Sequence, residues 1–222
     1  VVVVDGSVAP VDHDCGVRVP VHSLPGGEVT IGKLVGLTGY AGSGKDTFAK
    51  SLRLRGAYER VGFADAVKEM ALVLDPYILI GSKVGKGYDF VLLSDIVRQV
   101  GWDEAKKIGD VRVYLQKLGT DAVREIINKD AWVMAAQSKI WPLITEGTNV
   151  VVTDVRFQNE ADLIRSWGGK VFRVERPGFA PVNNHISDVG IDSIAVDGVV
   201  LNDGTVDDLG REASRIIAAM EG

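Results

Sequence analysis

Apolar and polar positions fall in blocks along this chain, and the blocks predict strands and helices in turn. Leu34 to Thr38 is a short apolar run closed by Gly39, the pattern of a buried strand. After a glycine-rich turn, Thr47 to Leu54 has helical spacing. Arg60 to Phe63 predicts a second strand and Ala64 to Leu74 a second helix. From Asp75 to Ile144 the pattern is almost entirely helical, broken near Gly81–Gly87 and at Gly101. Asn149 to Asp154 then predicts a strong buried strand, followed by a helix over Asn159 to Trp167. Lys170 to Val174 and Gly198 to Leu201 predict two more strands, and Asp207 to Met220 a last helix. Strands alternating with helices imply a parallel sheet covered on both faces. The helical block at about 75–145 reads as an insertion between the second and third strands, placed where it could cover a ligand.

Residues 1–32 differ in character. Pro10, Pro20 and Pro25-Gly26-Gly27 punctuate them, and the alternation Val17-Arg18-Val19-Pro20-Val21 suits an edge strand. They are expected to form an N-terminal arm, with no role assigned, ahead of one domain over 33–222. A chain of 222 residues, 46% hydrophobic and 25% charged, suffices for one α/β domain with a sizeable core. Thirty acidic residues against 25 basic ones give a net charge of −5, which argues against nucleic acid as a partner. The single cysteine, Cys15, excludes an internal disulfide framework and a cysteine-based zinc cluster. No apolar run reaches the length of a membrane span, and Val1 to Val4 lack the basic start of a secretory leader. A soluble cytoplasmic protein is expected.

The strongest chemical signal is Gly39-Tyr40-Ala41-Gly42-Ser43-Gly44-Lys45, which fits G-x-x-x-x-G-K between a strand and a helix. Glycines let consecutive backbone N–H groups turn inward around phosphate oxygens, and the helix N-terminus adds its dipole. Lys45 can then reach between the β- and γ-phosphates. The position after Lys45 departs from the usual Ser or Thr: it is Asp46, with Thr47 next. Asp46 could hold Mg²⁺, directly or through water, or serve the helix dipole. Thr47 could reach the α-phosphate or cap the helix.

Asp154 closes the valine-rich strand. An aspartate there can order Mg²⁺ through water or accept a proton from the attacking group, and it can equally cap a helix. Arg156 would project at the carboxyl end of the sheet, where ligands of α/β proteins bind. Asn159 and Glu160 open the next helix as candidate cap residues. Lys68, Arg112, Lys117 and Arg124 are cations in flanking segments, each of which could be a solvated charge. Trp132 could serve the core or form a wall for an acceptor base. His185 and Asp188, in a Pro/Asn-rich loop, lack the companions of a metal site.

Several strings resemble the bacteriophage deoxynucleoside monophosphate kinases when taken in order: Gly39–Thr47, Phe63–Lys68, Leu115–Arg124, Thr153–Ala161 and Asn202–Thr205. The resemblance runs from about residue 33 to the C-terminus, and Gly-Lys-Asp-Thr is usual in that family. It implies a P-loop kinase fold, a three-layer α/β sandwich with a central parallel sheet and a helical acceptor-binding insertion. It also implies transfer of the γ-phosphoryl of ATP to a deoxynucleoside monophosphate, with Mg²⁺ and for DNA precursor synthesis.

Carried over by position, Gly39, Ala41, Gly42, Ser43, Gly44, Lys45, Asp46 and Thr47 would hold ATP. Asn202 and Asp203 would border its adenine, and Asp46 and Asp154 would serve the metal. Asp65, Lys68, Gln116, Arg124 and Trp132 would meet the acceptor. Lys45, Arg124, Arg156 and Asp154 would carry catalysis, Arg156 from a moving region over the transferred group. A homodimer is compatible with the resemblance. Two alternatives stay open: a kinase of another small phosphorylated acceptor, such as phosphomevalonate, and a nucleotide-dependent binding switch without catalysis.

Overall fold

The computed structural model describes residues 31–81, 88–179 and 190–220. The expected arm up to residue 30, the break at 82–87 and the loop with His185 and Asp188 lie outside the described residues.

Five parallel strands form the central sheet: β1 (Leu34–Thr38), β2 (Glu59–Val61), β5 (Val150–Val152), β6 (Lys170–Glu175) and β7 (Gly198–Leu201), in the order β2-β5-β1-β6-β7. β1 lies at the centre, with Gly36 opposite Val152 on one side and Val171 on the other. Every residue of β1 and β5 is buried, which explains why both read as unbroken apolar runs. Alternate residues serve opposite faces. Leu34, Val150, Val152 and Val171 pack with Ile140 and Ile144 of α5 (Ala131–Thr145) and Ile164 of α6 (Gln158–Ser166). Val35, Leu37, Val151 and Val174 pack with Phe48 and Leu52 of α1 (Lys45–Gly56) and with Leu209, Ala213 and Ile216 of α7 (Val206–Ala219). The three-layer α/β expectation therefore holds. Among the described residues no helix is long and apolar enough to cross a membrane.

α2 (Phe63–Leu74) follows β2. The second predicted strand runs two residues too far, because β2 ends at Val61 and Phe63 opens this helix. The insertion is less helical than the almost entirely helical block that its spacing predicts. An antiparallel hairpin, β3 (Tyr77–Gly81) and β4 (Tyr88–Leu92), precedes its helices, with Ile78 opposite Val91 and Leu79 opposite Phe90. Five-residue runs rich in aromatic and branched residues fit a pleated ribbon and are too short for a helix. Ile78, Ile80 and Val91 face a separate small core with α3 (Leu93–Ala105) and α4 (Gly109–Gln116). The break expected at Gly101 is present: its φ of 74° and ψ of 167° kink α3. A π-helical segment, Lys117–Ile127, then leads to α5.

Candidate active site

The chain leaves β1 at the sheet's centre, where connections diverge to either side and α/β proteins bind ligands. Gly39, Gly42 and Gly44 all have positive φ (134°, 79° and 102°) in the turn that follows. A side chain at Gly39 would also strike the Val174 carbonyl oxygen at 2.4 Å. Only glycine suits such positions, so the loop's composition follows from its path. The Lys45 ammonium donates to the carbonyls of Gly39 and Tyr40, both at 2.7 Å, and so lies against the inner edge of the loop. The Asn202 amide, just past β7, donates to the Ser43 carbonyl at 2.9 Å and ties the loop to the far side of the sheet.

A cleft of about 320 Å³ opens here, lined by the loop, Lys45, Asp46, Thr47, Arg176, Asn202 and Gly204. The structure thus gathers most of the predicted donor residues, and it adds Arg176, which sequence reasoning missed. Asp46 is exposed in the first turn of α1, and Asp203 is exposed beyond Asn202. A second cleft of about 350 Å³ lies behind the loop, between Gly39, Tyr40 and Ser43 and the end of β6, and shares Arg176. Tyr40 donates to the Asp192 carboxylate, a bond that pushes its phenol above the ordinary value. Arg173 donates to the carbonyls of Asp192 at 3.1 Å and Ile194 at 2.9 Å. The hydroxyl of Ser43 is buried without a hydrogen-bond partner among the described residues.

On the other side of β1, β5 carries the chain to Asp154. Its two carboxylate oxygens accept the backbone amides of Phe63 and Ala64, each at 2.8 Å. Asp154 therefore caps α2, not the helix that follows it in sequence. Asp65, at the third position of α2, accepts the Gly62 amide at 2.8 Å and is clasped by Arg60 at 2.8 Å and Lys68 at 3.2 Å. Burial works to raise the Asp65 pKa, but the two cations prevail and hold it below its ordinary value. Arg60 also donates to the Thr153 hydroxyl at 3.2 Å. Sequence reasoning passed over Arg60, which sits in a three-residue strand with no motif around it.

Arg124, on the π-helical segment, is only 9% exposed. Its guanidinium lies 3.7 Å from the centroid of the Phe157 ring and donates to Glu160 at 3.3 Å and to Asn159 at 3.1 Å. Glu160 also accepts the amides of Arg156 at 2.7 Å and Phe157 at 3.2 Å. Burial pushes the Glu160 carboxyl up to about 7, against the pull of those amides and of Arg124. Burial likewise lowers the pKa of Arg124. Trp132 is 6% exposed and donates its indole N–H to the Gly119 carbonyl at 2.6 Å, packed with Val67 and Val123. It braces the π-helical segment from within the core. Gln116 ends α4 half-buried.

Mg²⁺ ordinarily takes one or two carboxylates together with substrate phosphates, not a dedicated protein cage. The donor set fits that habit: Asp46 lines the cleft beside Lys45.

The family model described as "Deoxynucleotide monophosphate kinase" matches residues 78–212. A protein of Acanthamoeba polyphaga mimivirus, described as "Putative deoxynucleotide monophosphate kinase", is 32% identical over 206 residues, covering 85% of this chain and 96% of its own. The deoxynucleotide monophosphate kinase of Escherichia phage RB69 is 30% identical over 108 residues, 48% of this chain and 44% of that one. The enzyme of the same name from Enterobacteria phage T4 is 31% identical over 100 residues, 45% of this chain and 42% of its own. The chain thus spans nearly all of the mimivirus relative and less than half of either phage enzyme.

Proposed function

The chain belongs to the deoxynucleotide monophosphate kinase family, and from that premise we propose that it transfers the γ-phosphoryl group of ATP to a deoxynucleoside monophosphate. The observation that carries the reading is the glycine loop at the exit of β1, with the Lys45 ammonium on its inner edge and the cleft to Asn202 beside it. Backbone N–H groups in such a loop bind phosphate oxygens, and the N-terminus of α1 favours negative charge.

Phosphoryl transfer asks little covalent chemistry of a protein. Two anionic substrates must be held in line, their repulsion offset and water kept out. Lys45 and the loop amides hold the donor triphosphate, Thr47 and Asn202 border it, and Arg176 reaches the same cleft. Asp46 would hold Mg²⁺, which would neutralise charge on the phosphate oxygens. The acceptor lies on the β5 side, within reach of the Asp65–Lys68–Arg60 group and of Arg156, which extends from the turn after β5. The helices and hairpin of the insertion cover it. Asp154 sets the start of α2 and so places Asp65 and Lys68. The substrates are small molecules, and in an infected cell the reaction would serve DNA precursor supply in the host cytoplasm.

A coupled assay of ADP release tests the reading, run with ATP, Mg²⁺ and each deoxynucleoside monophosphate in turn, with phosphomevalonate beside them. ADP release that depends on at least one nucleotide is expected. Release with phosphomevalonate alone would transfer the site to another acceptor. Nucleotide binding without acceptor-dependent release would make the chain a switch.

A further inference from the structure

Segments from separate parts of the chain meet at one buried carboxylate. Glu160, in the first turn of α6, is 3% exposed. Its Oε2 accepts the amides of Arg156 and Phe157, and its Oε1 accepts the Arg124 guanidinium. Arg124 arrives from the insertion, 36 residues earlier. Phe157 supports the same guanidinium from its ring face, and Asn159 takes a second nitrogen. Asn159 in turn donates to the Asp130 carboxylate at 2.6 Å, at the foot of α5. One short run, Phe157 to Glu160, therefore grips a single guanidinium by ring, amide and carboxylate.

Capping α6 does not require this arrangement. A glutamate at the third helical position reaches back to the preceding amides while exposed to water. Removing a carboxylate and a guanidinium from water costs several kcal/mol per ion in typical proteins, and apolar residues of similar volume are often at least as stable. What the pair supplies is direction. A guanidinium held by three partners keeps its plane, and with it its remaining N–H donors, in one orientation. The same carboxylate fixes the backbone from which the Arg156 side chain departs.

We propose that Glu160 is a positioning residue for the acceptor phosphate: it locks the Arg124 guanidinium and the Arg156 backbone into one relation, so that cations from two segments present themselves together. The inference rests on the kinase reading above. Glu160 itself touches no substrate and transfers no proton. Loss of that relation misplaces the cations, and misplacement of about 1 Å costs on the order of a hundred-fold in rate.

The test compares Glu160→Gln with the wild-type chain, after wild-type activity has been established with its best deoxynucleoside monophosphate. Absence of wild-type activity would overturn the kinase reading; the variant addresses the inference alone. Glu160→Gln keeps the shape and one acceptor oxygen but loses the charge. The expected result is a fall in kcat/KM for the acceptor of roughly ten-fold or more, with the KM for ATP within about two-fold. Unchanged acceptor kinetics in the folded variant, or ATP and acceptor KM rising together, would overturn the proposal. Should Glu160→Gln not fold, Phe157→Leu decides in its place. That change removes the ring beneath Arg124 and leaves the carboxylate, and it should raise the acceptor KM alone. No change in acceptor KM there would sink the inference.

Discussion

The carboxylate of Asp154 accepts the amide of Phe63 at 2.8 Å, joining the end of β5 to the start of a helix 91 residues earlier in the chain. With the Ala64 amide on its other oxygen, Asp154 satisfies two of the donors that a helix N-terminus leaves open. Asp154→Ala should therefore destabilise the fold by about 1–3 kcal/mol, read as a lower midpoint in urea denaturation. A variant of unchanged stability that has lost only its turnover would show that the residue acts in catalysis alone.

Gly39 and Gly101 separate two effects of glycine. Both have positive φ, but a Cβ at Gly39 meets the Val174 carbonyl at 2.4 Å, whereas nothing lies within 4 Å of one at Gly101. Gly101→Ala should cost about 1–3 kcal/mol, from strain in a backbone region open essentially to glycine alone. Gly39→Ala should cost about 3 kcal/mol or more and distort the loop as well. Urea unfolding of both variants checks the order, and equal losses would contradict the loop geometry described above.

Lys45 and Asp46 are neighbours with different work. Lys45→Ala should lower kcat by on the order of a hundred-fold while leaving the melting temperature within a few degrees. Near-normal turnover in that folded variant would remove Lys45 from the mechanism. Asp46→Ala should instead raise the Mg²⁺ concentration needed for half-maximal rate. An unchanged metal titration would return Asp46 to the role of a charge at the helix dipole.

Glu160 gives stability a pH dependence of known sign. Burial holds its carboxyl at about 7 in the folded chain, with Asp154 raising it further and Arg124 opposing. A group raised above its unfolded value favours the fold while protonated. Its contribution is complete below about 4.5 and is lost as pH climbs through about 7. Glu160→Gln is neutral throughout. The melting temperature of the wild type relative to this variant should therefore fall between pH 5 and pH 8. A constant difference across that range would show that the carboxyl is not raised.

The parts of this molecule that sequence revealed are those where one local rule dominates. β1 and β5 read correctly because strands buried on both faces are continuous apolar runs. β7 reads correctly as an apolar run although, at the sheet's edge, it leaves Val199 and Leu201 exposed. The phosphate loop was legible because the positive φ of its glycines is a local demand of the backbone path. The β3–β4 hairpin was not, since runs such as Tyr77-Ile78-Leu79-Ile80 look alike as short strands and as buried helix turns. The burial of Arg124 was hidden for another reason: its partners Phe157, Asn159 and Glu160 meet it only through tertiary contacts. Arg176 stands just past β6 in Arg176-Pro177-Gly178, and no spacing marks it as part of the cleft.

Phosphorus NMR of one reaction mixture tests the central claim most directly. The folded chain would be incubated with ATP, Mg²⁺ and one deoxynucleoside monophosphate, and the spectrum followed with time. The account predicts that the monophosphate resonance declines as the α and β resonances of the deoxynucleoside diphosphate grow, in step with conversion of ATP to ADP. Inorganic phosphate as the sole new product, or an unchanging spectrum with every deoxynucleotide tried, would contradict it.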